Sequence, residues 1–307
     1  MVKRVLVGYG IDVDAVSGWI NTEDGHIPDL TDISRGIFGA TVGIDRLLRL
    51  WDRYDIKTSW FIPTHSLESF PNQMIKIRDA GHEINLALTT SSGLHGYTHE
   101  HVDMLTEQQE RDVLAKSIEA VTAFTGKHPK GWTAPSWRTS SRSIKLLEEF
   151  GLEYDHSFMH HDSQLYYVPY NSGELVATDI SKPAEQWMRP MGKLSLSKII
   201  EVPANWHLDD WPPFQLTEGP SHGYVDPDII ERLWKAQFDF LYREYDTFVF
   251  PISIHPQVSG KPQVIMLHER LIEYINSHDG VEWCTFAQMA EEFKEGRIGG
   301  FKVEGGV

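Results

Sequence analysis

The chain has 307 residues, of which 41% are hydrophobic and 23% are charged, and its formal charge at pH 7 is −16. This composition is ordinary for a folded globular protein and excludes a largely disordered or fibrous chain. Nucleic acid and anionic membrane surfaces are poor partners, because the negative field would repel them. We therefore expect a neutral or cationic substrate, although the same charge is equally expected of a surface that only maintains solubility.

The single cysteine, Cys284, excludes both a disulfide within the chain and a cysteine metal cluster. The basic start at residues 1–4 leads directly into the short apolar run Val5–Val7, which cannot form the core of a signal peptide. No stretch reaches the roughly 18 apolar residues of a membrane span. We expect a cytoplasmic protein that does not enter a membrane.

Short apolar or β-branched runs alternate with longer amphipathic runs along the chain. The predicted strands are Val5–Tyr9, Thr58–Ile62, His82–Leu86, Gly131–Thr133, Tyr154–Ser157, Ile200–Val202, Phe248–Ile254 and Val281–Thr285. Apolar spacing predicts a helix over Gly43–Tyr54, and capping residues predict helices that begin at Thr106 and at Asp226. This alternation indicates a parallel α/β sheet, either open or closed into a barrel.

The sequence contains no internal repeat and no linker rich in glycine and serine. We therefore predict a single domain over residues 1–298. Residues 299–307 include four glycines, and we expect them to form a flexible tail.

Two carboxylates follow the first predicted strand, at Asp12 and Asp14. In parallel α/β folds the functional groups collect at the carboxyl ends of the strands. Side chains two residues apart in an extended chain point in the same direction, and two like charges are costly there unless a cation lies between them or their roles differ. The alternative is a pair of aspartates that cap loop amides.

Histidines 95 and 99 are four residues apart, and Gly96 between them favours a loop over a helix. This spacing can bring two imidazoles to one metal, but 15 histidines also produce such pairs by chance. Together with Asp14 they form a set of two histidines and one carboxylate with open coordination positions, which is typical of catalytic sites. His255 follows another strand, and Pro256 restricts its direction, so His255 is a candidate general acid or base or else a plain core or surface histidine.

These residues occur in the order of five motifs, and the chain resembles the polysaccharide deacetylases (carbohydrate esterase family 4) over about residues 5 to 295. Segments Asp32–Gly36 and Glu201–Trp206 are similar to the cytosolic branch that contains peptidoglycan deacetylase-like proteins, cyclic imidases and allantoinases. The motifs are Asp12-Val13-Asp14, His95-Gly96-Tyr97-Thr98-His99, Thr133-Ala134-Pro135, Trp206 with Asp209 and Asp210, and Ile252-Ser253-Ile254-His255-Pro256.

The resemblance implies a distorted (β/α) barrel of about seven strands and a zinc ion, or another divalent transition metal such as cobalt, held by Asp14, His95 and His99. It implies that Asp12 is the base for a metal-bound water that attacks an acyl carbon, and that His255 is the acid for the leaving nitrogen. Relatives that form tetramers make a homo-oligomer an expectation. The residues predicted to bind substrate are Trp206, Asp210, Pro135 and Arg35, and a plain core role is the alternative for Trp206.

The sequence departs from the family pattern in three places. Thr133 stands where the third motif usually carries an arginine that orients the catalytic base, and Arg138 and Arg35 are the candidate replacements. Gly96 stands where a serine or threonine is usual. Residues 85–92 form an apparent insertion before His95, which either reshapes the pocket or displaces that ligand.

The resulting hypothesis is a hydrolase of non-peptide carbon–nitrogen bonds of the polysaccharide or peptidoglycan deacetylase type, acting on an oligosaccharide or small-molecule amide. Two alternatives stay open. One is the ring-opening of a small cyclic amide, such as an imide, hydantoin or ureide. The other is a silent barrel that binds sugar or metal without turnover. The 10 tryptophans suit sugar stacking and a closed aromatic pocket equally.

Overall fold

The computed structural model describes residues 3–22, 25–26, 28–83, 93–170, 176–216 and 225–305. Nine strands in this part of the chain form one sheet, and helices lie between most of them. The strands are β1 Arg4–Asp12, β2 Ser59–Ile62, β3 Gly93–Leu94, β4 Gly131–Trp132, β5 Tyr154–Asp155, β6 Tyr166–Pro169, β7 Leu196–Glu201, β8 Thr247–Ile254 and β9 Val281–Trp283. The α-helices are α1 Ser17–Ile20, α2 Leu30–Phe38, α3 Ile44–Tyr54, α4 Thr64–Ser69, α5 Pro71–Asp79, α6 Glu107–Thr125, α7 Ser143–Glu149, α8 Trp211–Phe214, α9 Pro227–Glu244, α10 Pro256–Ser259, α11 Pro262–Asn276 and α12 Phe286–Lys294.

The sheet is a parallel barrel with an antiparallel addition at one edge. Strands β8, β1, β2, β3, β4, β5 and β7 are parallel and adjacent in that order, and β6 pairs with β7 in the antiparallel direction. The sheet curls back on itself. Four strands (β4, β3, β2 and β1) lie between β5 and β8 in the sheet, yet His156 after β5 contacts Ser253 of β8 (Nε2 to Oγ, 2.8 Å). The prediction of a distorted barrel of about seven strands is confirmed.

Strand β1 has two faces that pack against different parts of the molecule. Its odd-numbered residues, Val5 to Ile11, belong to the apolar layer between the barrel and the helices, whereas Leu6 belongs to the barrel interior. Gly10 also faces the interior, and a Cβ there would lie 2.6 Å from the ring of Phe286. Asp12 shares this inward direction, so the strand delivers its carboxylate to the inner end of the barrel.

Most of the predicted strands are confirmed with bounds that shift by a few residues. For His82–Leu86 the structure describes only residues 82 and 83, where Glu83 makes an isolated bridge with Ser59. Residues 84–92, which include the predicted insertion 85–92, lie outside the described residues. Strand β6 has no counterpart among the predictions.

The predicted helix starts follow from local capping. Thr106 and Gln109 form a capping box at the start of α6, and the side chain of Asp226 accepts a hydrogen bond from the backbone of Asp228 at the start of α9. The predicted helix Gly43–Tyr54 begins at Ile44 and continues from α2 through the π-helical turn Gly39–Gly43. All three predicted helices are therefore confirmed.

The last described residues pack against the barrel. The backbone amide of Phe301 donates a hydrogen bond to the carbonyl of Leu165, and Val303 is buried. Residues 299–305 therefore make contacts where a flexible tail was expected. Residues 306–307 lie outside the described residues. All nine strands of the described residues belong to one sheet, and the single domain over residues 1–298 stays a prediction. Within the described ranges, no helix combines the length and the apolar character needed to cross a bilayer.

Candidate metal and active site

The loop after β1 holds the carboxylate of Asp14 at the inner end of the barrel. Ser66 donates to its backbone carbonyl, and Gln257 Nε2 donates to Asp14 Oδ2 at 3.1 Å. Ala15, the next residue, adopts a φ of 50°, which is an uncommon conformation for a residue with a side chain. The loop therefore turns sharply after placing Asp14.

The two histidines lie on a tight turn after β3, as Gly96 predicted. His95 Nδ1 lies 2.9 Å from the backbone carbonyl of Thr133 and donates to it, which leaves Nε2 as a bare acceptor. His99 has a φ of 63°, and Asn21 Nδ2 donates to its carbonyl at 2.7 Å. The Thr133 carbonyl therefore orients the ring of His95, and Asn21 holds the backbone of His99.

Three side chains converge on one point that is suited to a metal ion. Asp14 Oδ1 lies 3.4 Å from His95 Nε2 and 3.8 Å from His99 Nε2. Asp14 Oδ1 and His95 Nε2 are both buried without a hydrogen-bond partner. A buried polar atom without a partner is costly, and here the two atoms and His99 Nε2 are the donor set typical of a divalent ion. The residues present fit a metal.

His255 approaches the same point from β8. Its Nδ1 lies 2.7 Å from Asp210 Oδ1, and its backbone amide also donates to that carboxylate. Its Nε2 faces the site, 3.8 Å from Asp12 Oδ2 and 3.9 Å from Asp14 Oδ2. Asp210 therefore fixes the ring so that Nε2 is the atom available for proton transfer.

Burial and the neighbouring charges move the pKa values of these groups apart. Burial raises the pKa of Asp12 and lowers the pKa of His99 to about 4. Burial also opposes ionisation of Asp14 and His255, but the histidines around Asp14 lower its pKa and Asp210 raises the pKa of His255. The site thus contains a carboxyl that gains a proton readily beside an imidazole that retains one, which is the division needed for acid–base work.

A small pocket with a cavity volume of about 100 Å³ opens above these groups. Its walls contain Trp137 and Trp206, whose rings are 4.5 Å apart, and Trp211, whose ring lies 4.9 Å from His255. Both Ser136 and Trp137 have positive φ values, 54° and 51°. Strained backbone in a pocket wall persists only where surrounding contacts fix it, and it is typical of functional sites. The lining residues are Asp12, Asp14, His99, Ala134, Ser136, Trp137, Trp206, Asp209, Trp211 and His255.

The residues predicted to bind substrate lie at different distances from this pocket. Trp206 is in its wall and 43% exposed. Asp210 is fully buried beneath His255, and Pro135 is buried between two wall residues without lining the pocket itself. Arg35 lines a separate cavity that shares Trp211, so it would reach only a substrate that extends past that ring.

Neither arginine replaces the one that the third motif lacks. Arg138 pairs with Asp103 at 2.6 Å, and Arg35 pairs with Asp32 at 2.7 Å, and no arginine is among the contacts of Asp12 in the described part of the chain. Asp12 Oδ2 instead faces the Nε2 atoms of His95 and His255, at 3.9 and 3.8 Å. In the described part of the chain, neither of these two candidates therefore takes over the position.

Sequence reasoning gave no role to two residues of the site. Gln257 holds Asp14, and Asp209 lines the pocket, where burial raises the pKa of its carboxyl to about 8. Asp209 was visible in the fourth motif without a role, and Gln257 stands two residues after His255. The signal for Gln257 was weak, because its direction depends on the short helix α10.

Comparison with known proteins identifies the family. A model described as polysaccharide deacetylase matches residues 38–154. The peptidoglycan deacetylase of Helicobacter pylori (strain ATCC 700392 / 26695) is 46% identical over 296 residues, covering 95% of this chain and 97% of that protein. A Mycobacterium smegmatis crystal structure assigned to the polysaccharide deacetylases has a TM-score of 0.79 at 26% identity, covering 99% of this chain and 94% of that one.

The chain belongs to the polysaccharide deacetylase family, as its five motifs predicted. It is a hydrolase of the polysaccharide and peptidoglycan deacetylase type, the class that acts on carbon–nitrogen bonds. The PuuE allantoinase shares the fold, with a TM-score of 0.74 at 22% identity over 96% of this chain and 91% of that one.

Proposed function

We propose that the chain is a metal-dependent deacetylase that hydrolyses the acetamido group of an N-acetylated sugar, with Asp14, His95 and His99 as the metal ligands. One observation carries the proposal, namely the convergence of the bare Asp14 Oδ1 and His95 Nε2 on His99 Nε2. Two imidazoles and one carboxylate suit zinc. When bound, a divalent ion polarises the acyl oxygen and lowers the pKa of water.

The residues around the ligands supply the proton transfers. Asp12 lines the pocket and accepts the proton of the attacking water, a role that its raised pKa favours. His255 Nε2 then gives a proton to the departing nitrogen, because its Nδ1 is held by Asp210. Gln257 restrains Asp14 from the opposite side of its carboxylate.

The pocket and the relatives favour an N-acetylated sugar. Three tryptophans in the wall offer flat apolar faces to a sugar ring or an acetyl methyl group. The Helicobacter pylori protein named as a peptidoglycan deacetylase is 46% identical over nearly the whole chain. The lining carboxyls Asp12, Asp14 and Asp209 disfavour an anionic group next to the scissile bond.

A second candidate is the ring-opening of a small cyclic amide. The pocket is small, with a cavity volume of about 100 Å³, which favours one small ring between tryptophans over a chain of several sugar units. The proton transfers assigned to Asp12 and His255 serve this reaction equally. Only the substrate distinguishes the two candidates.

A panel of substrates tests both. The zinc-loaded protein is assayed for acetate release from chitooligosaccharides and peptidoglycan fragments, and for ring-opening of cyclic imides, hydantoins and allantoin. Acetate release that is lost on chelation supports the first candidate, and ring-opening without acetate release replaces it with the second. Metal binding without either activity would favour a silent binding barrel.

Location and assembly are further parts of the proposal. A single, partly buried cysteine suits a cytoplasmic protein, and cell fractionation tests this. A homo-oligomer is supported by apolar side chains exposed on neighbouring helices, such as Phe240 on α9 and Met266 on α11, which are 51% and 55% exposed. Light scattering of the purified chain measures its mass in solution and would contradict the homo-oligomer if it gave 35.1 kDa.

A further inference from the structure

A line of buried polar groups runs from the core of the molecule to the histidine of the active site. Tyr9 Oη lies 3.2 Å from His268 Nδ1, and His268 Nε2 lies 2.8 Å from Ser259 Oγ. Ser259 Oγ donates to Asp210 Oδ2 at 2.6 Å, and Asp210 Oδ1 accepts from His255 Nδ1 at 2.7 Å. Each of these five side chains is at most 7% exposed.

The donors in this line have one consistent direction. Asp210 accepts only, so the Ser259 hydroxyl proton points to it, and Ser259 Oγ must then accept from His268 Nε2. His268 therefore carries its proton on Nε2, and its bare Nδ1 accepts from the Tyr9 hydroxyl. Burial lowers the pKa of His268 to about 3, which keeps the ring neutral and leaves a single nitrogen protonated.

The members of the line come from three separate elements of the fold. Tyr9 lies on the outer face of β1, where its ring packs 4.5 Å from that of Trp51. His268 lies on α11, and Ser259 ends α10. Apolar side chains would fill these positions at less desolvation cost, so the polar groups either satisfy one another or serve the site on which they end.

We propose that Tyr9, His268 and Ser259 are positioning residues for His255, acting through Asp210. Their donated hydrogen bonds hold Asp210 in one rotamer and polarise it towards His255, which keeps the proton of His255 on Nδ1 and aims Nε2 at the substrate. This inference rests on the proposed role of His255 as the acid. Ser259 and His268 would thus affect the proton transfer to the leaving nitrogen rather than substrate or metal binding.

A double-mutant cycle tests this inference. Tyr9→Phe removes one hydroxyl and preserves the ring packing, and Ser259→Ala breaks the line next to Asp210. We expect kcat to fall about threefold or more in Tyr9→Phe and about tenfold or more in Ser259→Ala, with KM and metal content unchanged. In the Ser259→Ala background Tyr9→Phe should have no further effect, because the line no longer reaches Asp210.

The matched control is Tyr166→Phe, which removes a buried tyrosine hydroxyl that contacts His160 instead. The same hydroxyl also accepts from the backbone amide of His160, so this change costs at least as much hydrogen bonding as Tyr9→Phe and should leave kcat unchanged. Two outcomes would overturn the proposal, because each indicates a general loss of stability. One is that the effects of Tyr9→Phe and Ser259→Ala on kcat are independent. The other is that Tyr166→Phe lowers kcat as much as Tyr9→Phe does.

A spectroscopic measurement is independent of any substrate. In ¹⁵N-histidine-labelled protein, His268 should be neutral with its proton on Nε2, and Tyr9→Phe should shift its Nδ1 resonance. The Nδ1 proton resonance of His255 should also move in Ser259→Ala. If both are seen in a protein that hydrolyses no substrate of the panel, the hydrogen-bond line stands while the proposed function fails. A His268 ring protonated on Nδ1 would contradict the line itself.

Discussion

Asp14 Oδ1 and His95 Nε2 lie 3.4 Å apart, are both buried, and have no hydrogen-bond partner in the described part of the chain. An aspartate that capped loop amides, the alternative considered from sequence, would direct that oxygen at a backbone donor. Instead the oxygen faces two imidazoles. A metal ion held as we propose would give both of these atoms a partner.

The metal ligands are tested by His99→Ala. Removal of one of three ligands should weaken zinc binding more than about 100-fold, because the remaining two leave the ion largely exchangeable. Elemental analysis after gel filtration against a weak chelator measures the metal retained. His128→Ala is the matched control, since its ring is exposed and its Nδ1 contacts the backbone carbonyl of Pro129. Full retention of zinc in His99→Ala would contradict the ligand set.

The proton-transfer groups are tested by Asp12→Asn and His255→Ala. We expect each to lower kcat by about 10²- to 10⁴-fold while the bound metal stays near the wild-type amount. Neither side chain belongs to the proposed ligand set. Joint measurement of turnover and metal content separates an enzyme from a silent binder. Unchanged turnover in both variants would show that other groups move the protons.

The buried carboxyl of Glu83 should make stability depend on pH. Glu83 accepts hydrogen bonds from Tyr154 and Ser59, and burial raises its pKa to about 7 from an ordinary 4.5. Between these two pH values the folded state retains a proton that the unfolded chain has lost. The contribution of Glu83 to the free energy of unfolding therefore falls as pH rises, by about 1.4 kcal/mol per pH unit.

Glu83→Gln should remove this loss. As the pH rises from 4.5 to about 8, the free energy of unfolding should fall in the wild type but not in the variant. The difference between the two should therefore change by on the order of 3 kcal/mol in favour of the variant. Urea titrations across this range measure the difference. Glu291→Gln, an exposed change on α12, is the control and should follow the wild type. Parallel pH curves for Glu83→Gln and the wild type would refute the raised pKa.

Backbone packing behind the active site is tested by Gly43→Ala. A Cβ at Gly43 would lie 2.2 Å from the backbone oxygen of Pro256, the residue after His255. Alanine normally favours a helix over glycine by about 1 kcal/mol, but this clash should outweigh that gain and lower the free energy of unfolding by about 1–3 kcal/mol. Gly299→Ala, where a Cβ would meet nothing within 4 Å, should be nearly neutral. Thermal melts compare the two variants.

The sequence predicted the centre of the site better than its surroundings. Asp12 ends one long, mostly apolar and buried strand, Asp14 follows it and His255 follows another, so their positions at the strand ends could be inferred from the sequence. The His95–His99 turn needed only Gly96, whose φ is 69°. These are local signals, and the family motifs fixed which of the histidines belong together.

The predictions failed where distant contacts decide the result. Arg138 was a candidate replacement for the motif arginine, but it pairs with Asp103, 35 residues away, and the sequence gives no sign of that pair. Strand β6 has four residues, one of them Pro169, and is stabilised by pairing with β7 rather than by its own pattern. The end of the chain looked flexible from its glycines, yet Gly300 pairs with Leu165.

A titration of the metal-free protein with zinc tests the central claim most directly. Turnover of the best substrate from the panel is followed as zinc is added in steps to the wild type and to Asp14→Asn. The metal site predicts that wild-type activity rises in proportion to zinc and stops at one ion per chain, and that Asp14→Asn stays inactive at the same concentrations. Full activity of the chelator-treated protein before any zinc is added would contradict a metal-dependent hydrolase.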